Sequence, residues 1–523
     1  MYKPGESDSA KIPSDLSGNN VSLLDLQIKM AQIEIDKREE ILKDFWEKIE
    51  QGTGTPIIEK NHSGNYMVTF LYRSKDEVKV ELDCNDLNEQ KLDLDGKIKT
   101  FEKIPGTNIY MFKLENIPDN VIIPYGITVT GYDGIKHDMQ DQLNKKTFHL
   151  PLCNLDNGET FLDKRNSSVL VLPNANPEQT WYKGEISDQR GSLQTQYIDA
   201  KEQGFGERKL WVYTPPDFNP KKTEAYKLMV ITDGGTYTTL MKPHLDRQQK
   251  KNPMLRDTVI AFVGNVREGS VKYHPVNLVE GISKDDTDHR QYEFLDHSEE
   301  FYAAVIAPTI ERLRQDPTLH LSNKAEDTIL TGFSLGGHFA AEAGLAHPEN
   351  IGNVICLSGA FNTSIKSLGT QLKESNRKHG LNIFMSIGQL ETLRQTPDNQ
   401  AKYSVTAETR LEANQRFFEE LQRNGHNVEF ISLPSGHNEL STIHVITDQA
   451  LPFVCANKPY TKDEHSELLQ PSEKKLLEAR ERMQNFRAMS HKAPDLTASQ
   501  DEIKKDDSSI TPFTTTAKPS GIN

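Results

Sequence analysis

The chain has 523 residues, of which 35% are hydrophobic and 26% are charged, and its formal net charge is −15 at pH 7. This composition is typical of a globular protein and excludes a collagen-like one, while the length predicts two or three domains rather than a single core. The negative charge argues against a nucleic-acid partner, because general nucleic-acid binders neutralise phosphates with lysine and arginine.

The first twenty residues, MYKPGESDSAKIPSDLSGNN, are polar and lack the apolar core of a signal peptide. No later run is apolar over the length of a transmembrane helix. We therefore expect disorder over residues 1–20, a cytoplasmic protein and no membrane partner. The four cysteines form no C-x-x-C pair, which predicts neither a zinc site nor a disulfide framework: they are Cys84, Cys153, Cys356 and Cys455.

The N-terminal part contains a helical segment followed by alternating strands. From Val21 to Gln51 apolar residues recur at helical spacing. From Thr55 to about Val129, segments such as YMVTFLYR and VKVELDC alternate in polarity and are separated by Asn, Asp and Gly, which predicts an antiparallel β-domain. We assign residues 21–150 to this entry helix and domain. Residues 151–177 are assigned to a connecting segment, because VLPNANPEQTW favours a boundary.

Residues 178–458 contain apolar runs that are mostly separated by enough chain for a crossover helix. Such runs are typical of strands covered on both faces and predict a mainly parallel sheet that begins with a hairpin. The runs are LQTQYID, KLWVYTP, YKLMVITDGG, TVIAFVGN, TILTGFS, NVICLSG, NIFMSIG and VEFISLP. The predicted fold is α/β, with an α/β-hydrolase domain preceded by the smaller antiparallel β-domain. For residues 459–523 we expect a polar helix and a disordered tail, because few apolar side chains offset the cost of ordering.

The fifth run ends in GFSLG, residues 332–336, where a predicted strand meets a predicted helix. In the G-x-S-x-G motif of α/β-hydrolases a serine occupies a sharp strand-to-helix turn, and its neighbours are small so that the backbone can turn. The pattern predicts Ser334 as a nucleophile. The alternative is a serine that only caps the following helix.

A hydrolase triad should follow in the order serine, acid, histidine. Glu391 comes just after the seventh run, and His437 lies in a Gly-containing loop after the eighth. We expect His437 to act as the general base and Glu391 to orient its ring and stabilise the imidazolium. The sequence leaves three competitors open: His338, His444 and Asp398.

The oxyanion of such a reaction needs backbone amides as donors. The residue after the nucleophile, Leu335, supplies one, and Gly234 or Gly235 after the third run supplies the other. Because a histidine activates the nucleophile, we expect neither a metal nor a cofactor.

Several ordered segments together resemble one family. They are FWEKIEQGTGTPIIE, VTFLYR, KIPGTNIYMFKL and DQLNKKTF in the N-terminal part, and RKLWVYTP, ITDGG, GFSLGGHFAAEAGLAHPE, IGQLE and LPSGH in the second. In these segments, which extend over most of residues 45–452, the chain resembles the enterochelin (enterobactin) esterases, bacterial hydrolases that cut ester bonds in the trilactone of catecholate siderophores.

The resemblance implies an esterase-D-like α/β-hydrolase with the family's N-terminal domain and with the triad and amides named above. The family's R-x-x-E-L segment corresponds to residues 290–294, which places Arg290 and Glu293 on the substrate side. The chain departs from the family at Phe333, where glutamine is usual, at Ser435, where the loop has glycine, and at Asn438, where an acid is usual. A further difference is an inserted segment before Arg290, YHPVNLVEGISKDDTD.

The predicted function is that of a serine carboxylesterase that hydrolyses a small-molecule ester through an acyl-enzyme. The resemblance implies a catecholate siderophore as substrate, an enterochelin-like trilactone with or without iron. Two alternatives are a general acyl or aryl esterase on the same scaffold and a non-catalytic or exported partner-binding protein. Every catalytic candidate follows Trp181, so we expect the N-terminal domain to select substrate rather than to take part in cleavage.

Overall fold

The computed structural model describes residues 23–34, 37–60, 66–87, 99–175, 186–265, 290–363, 368, 372, 380–394, 400 and 405–456. All of them lie in one compact unit, Met1–Lys462, and a second unit comprises Asp463–Asn523. The disorder predicted for residues 1–20, the helix and tail predicted for 459–523 and the inserted segment before Arg290 lie outside the described residues.

Two helices, α1 (Leu23–Gln32) and α2 (Arg38–Gln51), form the entry to the chain. The amphipathic pattern of α2 buries one stripe, composed of Leu42, Phe45, Trp46 and Ile49. This stripe packs against Leu71 and Ile109 of the following strands. The helical entry predicted from the sequence therefore forms as two helices.

The N-terminal strands form two antiparallel sheets. The strands are β1 (Ile57–Lys60), β2 (Tyr66–Arg73), β3 (Lys79–Asp83), β4 (Glu102–Lys103), β5 (Ile109–Ile117), β6 (Ile122–Thr130), β7 (Lys136–Met139), β8 (Thr147–Cys153) and β9 (Thr160–Val171). One sheet has the order β1-β2-β5-β4 and the other β3-β6-β9-β8, with β7 paired to β6. Phe70 and Phe112 of the first sheet share a core with Leu82 and Tyr125 of the second. The predicted antiparallel domain is confirmed.

This domain extends further along the chain than the sequence pattern suggested. The end of β8 and all of β9 fall within residues 151–177, the segment that the sequence pattern assigns to a connection. Pro151 lies where the β8–β9 register shifts, between His149 and Pro151. A bulge on an edge strand tolerates a residue without an N–H, so the strand continues through the proline.

The second part of the chain forms one sheet in the order β10-β11-β13-β12-β14-β15-β16-β17. Its strands are β10 (Ser192–Ala200), β11 (Gly206–Thr214), β12 (Lys227–Ile231), β13 (Thr258–Val263), β14 (Thr328–Phe333), β15 (Asn353–Leu357), β16 (Asn382–Gly388) and β17 (Asn427–Leu433). β10 and β11 form the expected hairpin, β11 pairs antiparallel with β13, and the remaining pairs are parallel. Each apolar run identified in the sequence is one of these strands, which confirms the α/β-hydrolase fold.

Helices cover both faces of this sheet. They are α3 (Gly234–Gln248), α4 (Pro253–Arg256), α5 (Ser298–Phe301), α6 (Ala307–Gln315), α7 (Leu335–Ala346), α8 (Arg410–Arg423), α9 (Glu439–Val445) and α10 (Leu451–Ala456), with π-helical turns at Tyr292–Asp296, Tyr302–Ile306 and Ile446–Ala450. In β14, Leu330 belongs to the core formed with α6, α7 and α8, and Ile329 to the core formed with α3, α9 and α10. The second core also contains Leu150 and Leu152 of β8, so the N-terminal domain packs on that face. Within the described ranges, no helix has the length and apolar character needed to cross a membrane.

Candidate active site

Ser334 occupies a strained turn between β14 and α7. Its backbone has φ 58° and ψ −119°, a conformation that residues other than glycine rarely adopt. A Cβ atom on Gly332 would lie 2.1 Å from the Gly336 carbonyl oxygen, and one on Gly336 would lie 2.5 Å from Thr232 Oγ1. Both neighbours must therefore be glycine. The Ser334 hydroxyl makes no capping hydrogen bond to α7, so the helix-cap alternative does not explain this serine.

The structure brings Ser334, His437 and Glu391 together in one chain of hydrogen bonds. His437 Nε2 lies 3.1 Å from Ser334 Oγ, and His437 Nδ1 lies 2.8 Å from Glu391 Oε2. Because Nδ1–H donates to the carboxylate, Nε2 is left to accept the hydroxyl proton. This is the geometry that a serine nucleophile, its base and an orienting acid require.

Glu391 is fully buried and held on both oxygens. Oε1 accepts hydrogen bonds from Ser358 Oγ at 2.7 Å and from the Gly388 amide at 2.9 Å, and Oε2 lies 3.5 Å from Arg410 Nη1. Burial acts to raise the pKa of Glu391, but its interaction with His437, the charge of Arg410 and the hydrogen bond from Ser358 outweigh burial, so the pKa lies below its ordinary value. Glu391 is therefore ionised at neutral pH.

His437 is neutral at neutral pH. Burial and then the charge of Arg410 lower its pKa from 6.5 to about 4, although Glu391 acts in the opposite direction. The ring of Phe333, the residue that replaces the family's glutamine, stacks on the imidazole with 4.4 Å between ring centroids. A neutral imidazole in hydrogen-bond contact with Ser334 can accept a proton.

The competing residues occupy other positions. His338 lies on α7 with Nδ1 3.9 Å from Glu342 Oε2, and His444 lies on α9, where burial lowers its pKa to about 4. Asp398 lies outside the described residues. Across the ranges that the structure describes, no group of three or more His, Cys, Asp or Glu side chains has an arrangement that could hold a metal ion.

Two helix N-termini lie beside Ser334. Leu335 is the first residue of α7 and Gly234 is the first residue of α3, so neither amide has an acceptor within its own helix. A Cβ atom on Gly336 would lie 3.1 Å from Asp233 Oδ2, which shows that the two helix starts are adjacent. Gly235 follows in the first turn of α3. Amides at the positive ends of two helices are suited to stabilise a developing oxyanion.

Arg290 lies beside the turn that precedes α3, where it pairs with Asp233. Its Nε and Nη2 donate to Asp233 Oδ1 and Oδ2 at 2.8 and 3.0 Å, and Nη2 also lies 3.4 Å from the Phe333 carbonyl oxygen. Asp233 immediately precedes Gly234 and has φ 54°, in the left-handed region. The Arg290 side chain is 15% exposed. Arg290 therefore fixes the backbone that presents the Gly234 amide.

Glu293, which the resemblance placed on the substrate side, is buried in the interior. It is 2% exposed, and its two oxygens accept from Arg208 Nη1 at 3.2 Å and Nη2 at 2.9 Å. Arg208 is itself buried, on β11. Both carboxylate oxygens of Glu293 accept hydrogen bonds from Arg208, so neither oxygen is left to bind a substrate.

Asp86 is a site residue that sequence reasoning missed. It belongs to the 3₁₀ turn Asn85–Leu87 of the N-terminal domain. Oδ1 accepts from the Gly436 amide at 3.0 Å, and Oδ2 accepts from Asn438 Nδ2 at 2.7 Å. These two partners flank His437, but no motif connects them to a residue 350 positions earlier in the chain.

The comparison with protein families agrees with this geometry. Residues 205–441 match the family described as "Putative esterase", and the match contains the serine, the acid, the histidine and the oxyanion loop. The matched segment is 237 of the 523 residues long, and its sequence is similar to that family. Together with the assembled serine, histidine and carboxylate, this match makes the protein a carboxylic ester hydrolase. No protein of the curated set matches the sequence of this esterase.

Solved structures share the fold over both parts of the esterase. The ferric enterobactin esterase of Salmonella typhimurium is 20% identical, with a TM-score of 0.55, over 79% of this chain and 98% of that one. The enterobactin esterase of Shigella flexneri, solved in the presence of enterobactin, is 17% identical, with a TM-score of 0.51, over 79% and 97%. The same enzyme solved with 2,3-dihydroxy-N-benzoyl-serine is 18% identical, with a TM-score of 0.50, over 79% and 98%. At these identities the likeness establishes the fold.

Proposed function

We propose that this esterase hydrolyses ester bonds of a catecholate siderophore, an enterochelin-like trilactone with or without iron, through an acyl-enzyme on Ser334. The hydrogen-bonded chain from Ser334 through His437 to Glu391 carries the proposed reaction. Two observations support the substrate class. The fold is shared with enterobactin esterases over 79% of this chain, and one of those enzymes was crystallised with enterobactin.

In the acylation step, Ser334 Oγ attacks the ester carbonyl carbon while His437 Nε2 takes the hydroxyl proton. Glu391 stabilises the imidazolium that forms, and the amides of Leu335 and of Gly234 or Gly235 donate to the oxyanion. When the intermediate collapses, His437 returns the proton to the departing alkoxide. The products of this step are an alcohol and an ester of Ser334.

In the deacylation step, His437 removes a proton from water and the resulting hydroxide attacks the acyl carbon. The same amides donate to the second oxyanion. Collapse releases the carboxylic acid, and His437 returns the proton to Ser334 Oγ. One water is consumed for each ester bond broken.

A second candidate, a general acyl or aryl esterase, is favoured by the pairing of Arg290. The resemblance placed this cation toward an anionic substrate, but two of its nitrogens are engaged by Asp233. Because Asp233 neutralises Arg290, this residue attracts a multiply charged ferric catecholate less strongly, particularly in a protein of net charge −15.

The test is product analysis with a matched panel of substrates. The purified chain and its Ser334→Ala variant are incubated with a triscatecholate trilactone, iron-free and ferric, and with neutral aryl esters, and the products are identified by mass spectrometry. We expect wild type to open the trilactone to linear products, each cut adding one water, and the variant to give none. Cleavage of the aryl esters alone would support the general esterase. Absence of turnover of every ester by folded wild type would overturn the proposal.

A cytoplasmic location is part of the proposal. All four cysteines lie within the described ranges, and no disulfide joins them. Thiols in this state suit a reducing compartment, where disulfides are rare.

A further inference from the structure

A carboxylate of the N-terminal domain holds the loop that carries His437. Asp86 is 2% exposed and accepts one hydrogen bond from the residue before the histidine and one from the residue after it. The contact with Gly436 is also close through the backbone, since a Cβ atom there would lie 1.9 Å from the Asp86 carbonyl oxygen. A side chain at position 436 would therefore push the loop off the N-terminal domain.

The loop that carries Glu391 is bound to the same domain. Leu390, the preceding residue, is 6% exposed and belongs to the hydrophobic core of the N-terminal domain together with Leu87. The Leu390 amide donates to the Ser435 carbonyl oxygen at 3.0 Å, which ties the acid loop to the histidine loop. Both loops that complete the triad thus pack on the N-terminal domain, and the His437 loop does so through Asp86.

The hydrogen bonds of Asp86 are charge-assisted at neutral pH. Burial raises its pKa to about 6 and nearby Glu391 adds to this, while Asn438 and the Gly436 amide act in the opposite direction. Above that value the carboxylate is ionised and accepts both N–H groups, which makes each bond stronger than a neutral one.

Asn438 is complementary to Asp86 in a way that an acid would not be. Its Oδ1 accepts from the Leu440 amide at 2.9 Å and caps α9, which turns Nδ2 toward Asp86. A carboxylate at position 438 would instead face the carboxylate of Asp86, and two such groups resist ionising together.

We infer that Asp86 is a positioning residue for His437, so that the N-terminal domain completes the active site rather than only selecting substrate. The inference rests on the triad of the proposed function. Asp86 acts through Gly436 and Asn438, the two neighbours that it binds, and it fixes the direction in which the imidazole faces Ser334.

The test is a swap of the two partners in the full-length protein, assayed with a small neutral aryl ester. In Asp86→Asn, the NH₂ group of the new side chain must face another donor, either the Gly436 amide or Asn438 Nδ2. We expect kcat to fall about tenfold or more, with KM nearly unchanged. In Asp86→Asn with Asn438→Asp, the new amide accepts from Gly436 and donates to the new carboxylate, which can still cap α9. This double variant should recover most of the lost kcat.

Two further variants keep the test decisive. Asn438→Ser retains a good helix cap but is too short to reach Asp86, so it should lower kcat without altering the N-terminal domain. Asp141→Asn is the matched control. Asp141 is also a 2% exposed carboxylate of the N-terminal domain, but it accepts from Thr55 and Tyr125. This control should lower the melting temperature and leave kcat unchanged.

Folded Asp86→Asn and Asn438→Ser proteins with wild-type kcat would overturn the inference, as would an equal kcat loss in the Asp141 control or no recovery in the double variant. The low-field NMR signal of the His437 Nδ1 proton separates this inference from the proposed function. If wild type cleaves no ester but this signal shifts in Asp86→Asn and returns in the double variant, the positioning stands and the proposed function fails. A signal that is identical in all variants would also overturn the inference.

Discussion

Glu391 accepts hydrogen bonds through both carboxylate oxygens, and these bonds fix the orientation that a glutamine would take in its place. A glutamine side chain there would keep its carbonyl oxygen toward Ser358 and the Gly388 amide, which would turn its NH₂ group toward His437 Nδ1. The imidazole would then carry its proton on Nε2, where it could not accept the proton of Ser334. We expect Glu391→Gln to lower kcat by about 10³–10⁴-fold. A loss under tenfold, measured by steady-state kinetics on an aryl ester, would mean that another acid orients His437.

Arg410 contributes to the acid limb of the pH–rate profile. Only the neutral imidazole accepts a proton, and burial followed by the charge of Arg410 lowers the pKa of His437 to about 4, so protonation of His437 should reduce kcat/KM only well below pH 6.5. Arg410 is one cause of the lowering, so Arg410→Gln should raise this pKa and move the acid limb toward neutral pH. Protonation of Asp86, whose pKa is raised to about 6, should weaken its hydrogen bonds to the His437 loop equally in both proteins, so the difference between them reports Arg410. An unmoved limb would show that Arg410 does not tune His437.

At the scale of elements, the turn between β12 and α3 presents the Gly234 amide. A Cβ atom on Gly234 would lie 2.6 Å from the carbonyl carbons of Phe262 and Val263, so the turn is packed against β13. Asp233 in its left-handed conformation is held there by Arg290. The proposed oxyanion donor, the Gly234 amide, thus depends on an ion pair as well as on glycine.

We therefore expect Arg290→Ala to lower kcat/KM for a neutral aryl ester and for a ferric catecholate by similar factors, about tenfold or more. Arg290→Lys, which keeps the charge but loses the bidentate geometry, should restore only part of the activity. Both variants are compared with wild type on the two substrates. A loss confined to the ferric substrate would instead assign Arg290 to substrate binding.

The sequence predicted best those elements whose pattern of apolar residues reflects how they are buried in the fold. The strands of the second sheet are buried on both faces, so each appears as an apolar run, and the order of Ser334, Glu391 and His437 follows from their places after β14, β16 and β17. The sequence pattern ends the N-terminal domain at residue 150, whereas β9 continues to Val171, because its pairing with β6 and β8 is not visible in a local pattern. The partners of Glu293 and Asp86 are distant in sequence, so no local pattern could identify them.

In the molecule as a whole, the N-terminal domain does more than cover one face of the second sheet. Leu150 and Leu152 of β8 share a core with Leu240 of α3 and Leu440 of α9, so removing the domain would expose the apolar side of both helices. Asp86 and Leu390 further join this domain to the two loops of the triad. These contacts oppose the expectation that the domain has no part in cleavage, although they leave it free to contribute to substrate selection.

In the proposed mechanism Ser334 is a nucleophile that His437 activates. The most direct measurement is peptide mapping by mass spectrometry after reaction with a fluorophosphonate, with the labelling rate followed for wild type, Ser334→Ala and His437→Ala. We predict one phosphonyl adduct on Ser334 in wild type, none in Ser334→Ala, and labelling slowed by several orders of magnitude in His437→Ala. An adduct on another residue, or wild-type labelling in a folded Ser334→Ala protein, would show that Ser334 is not the nucleophile.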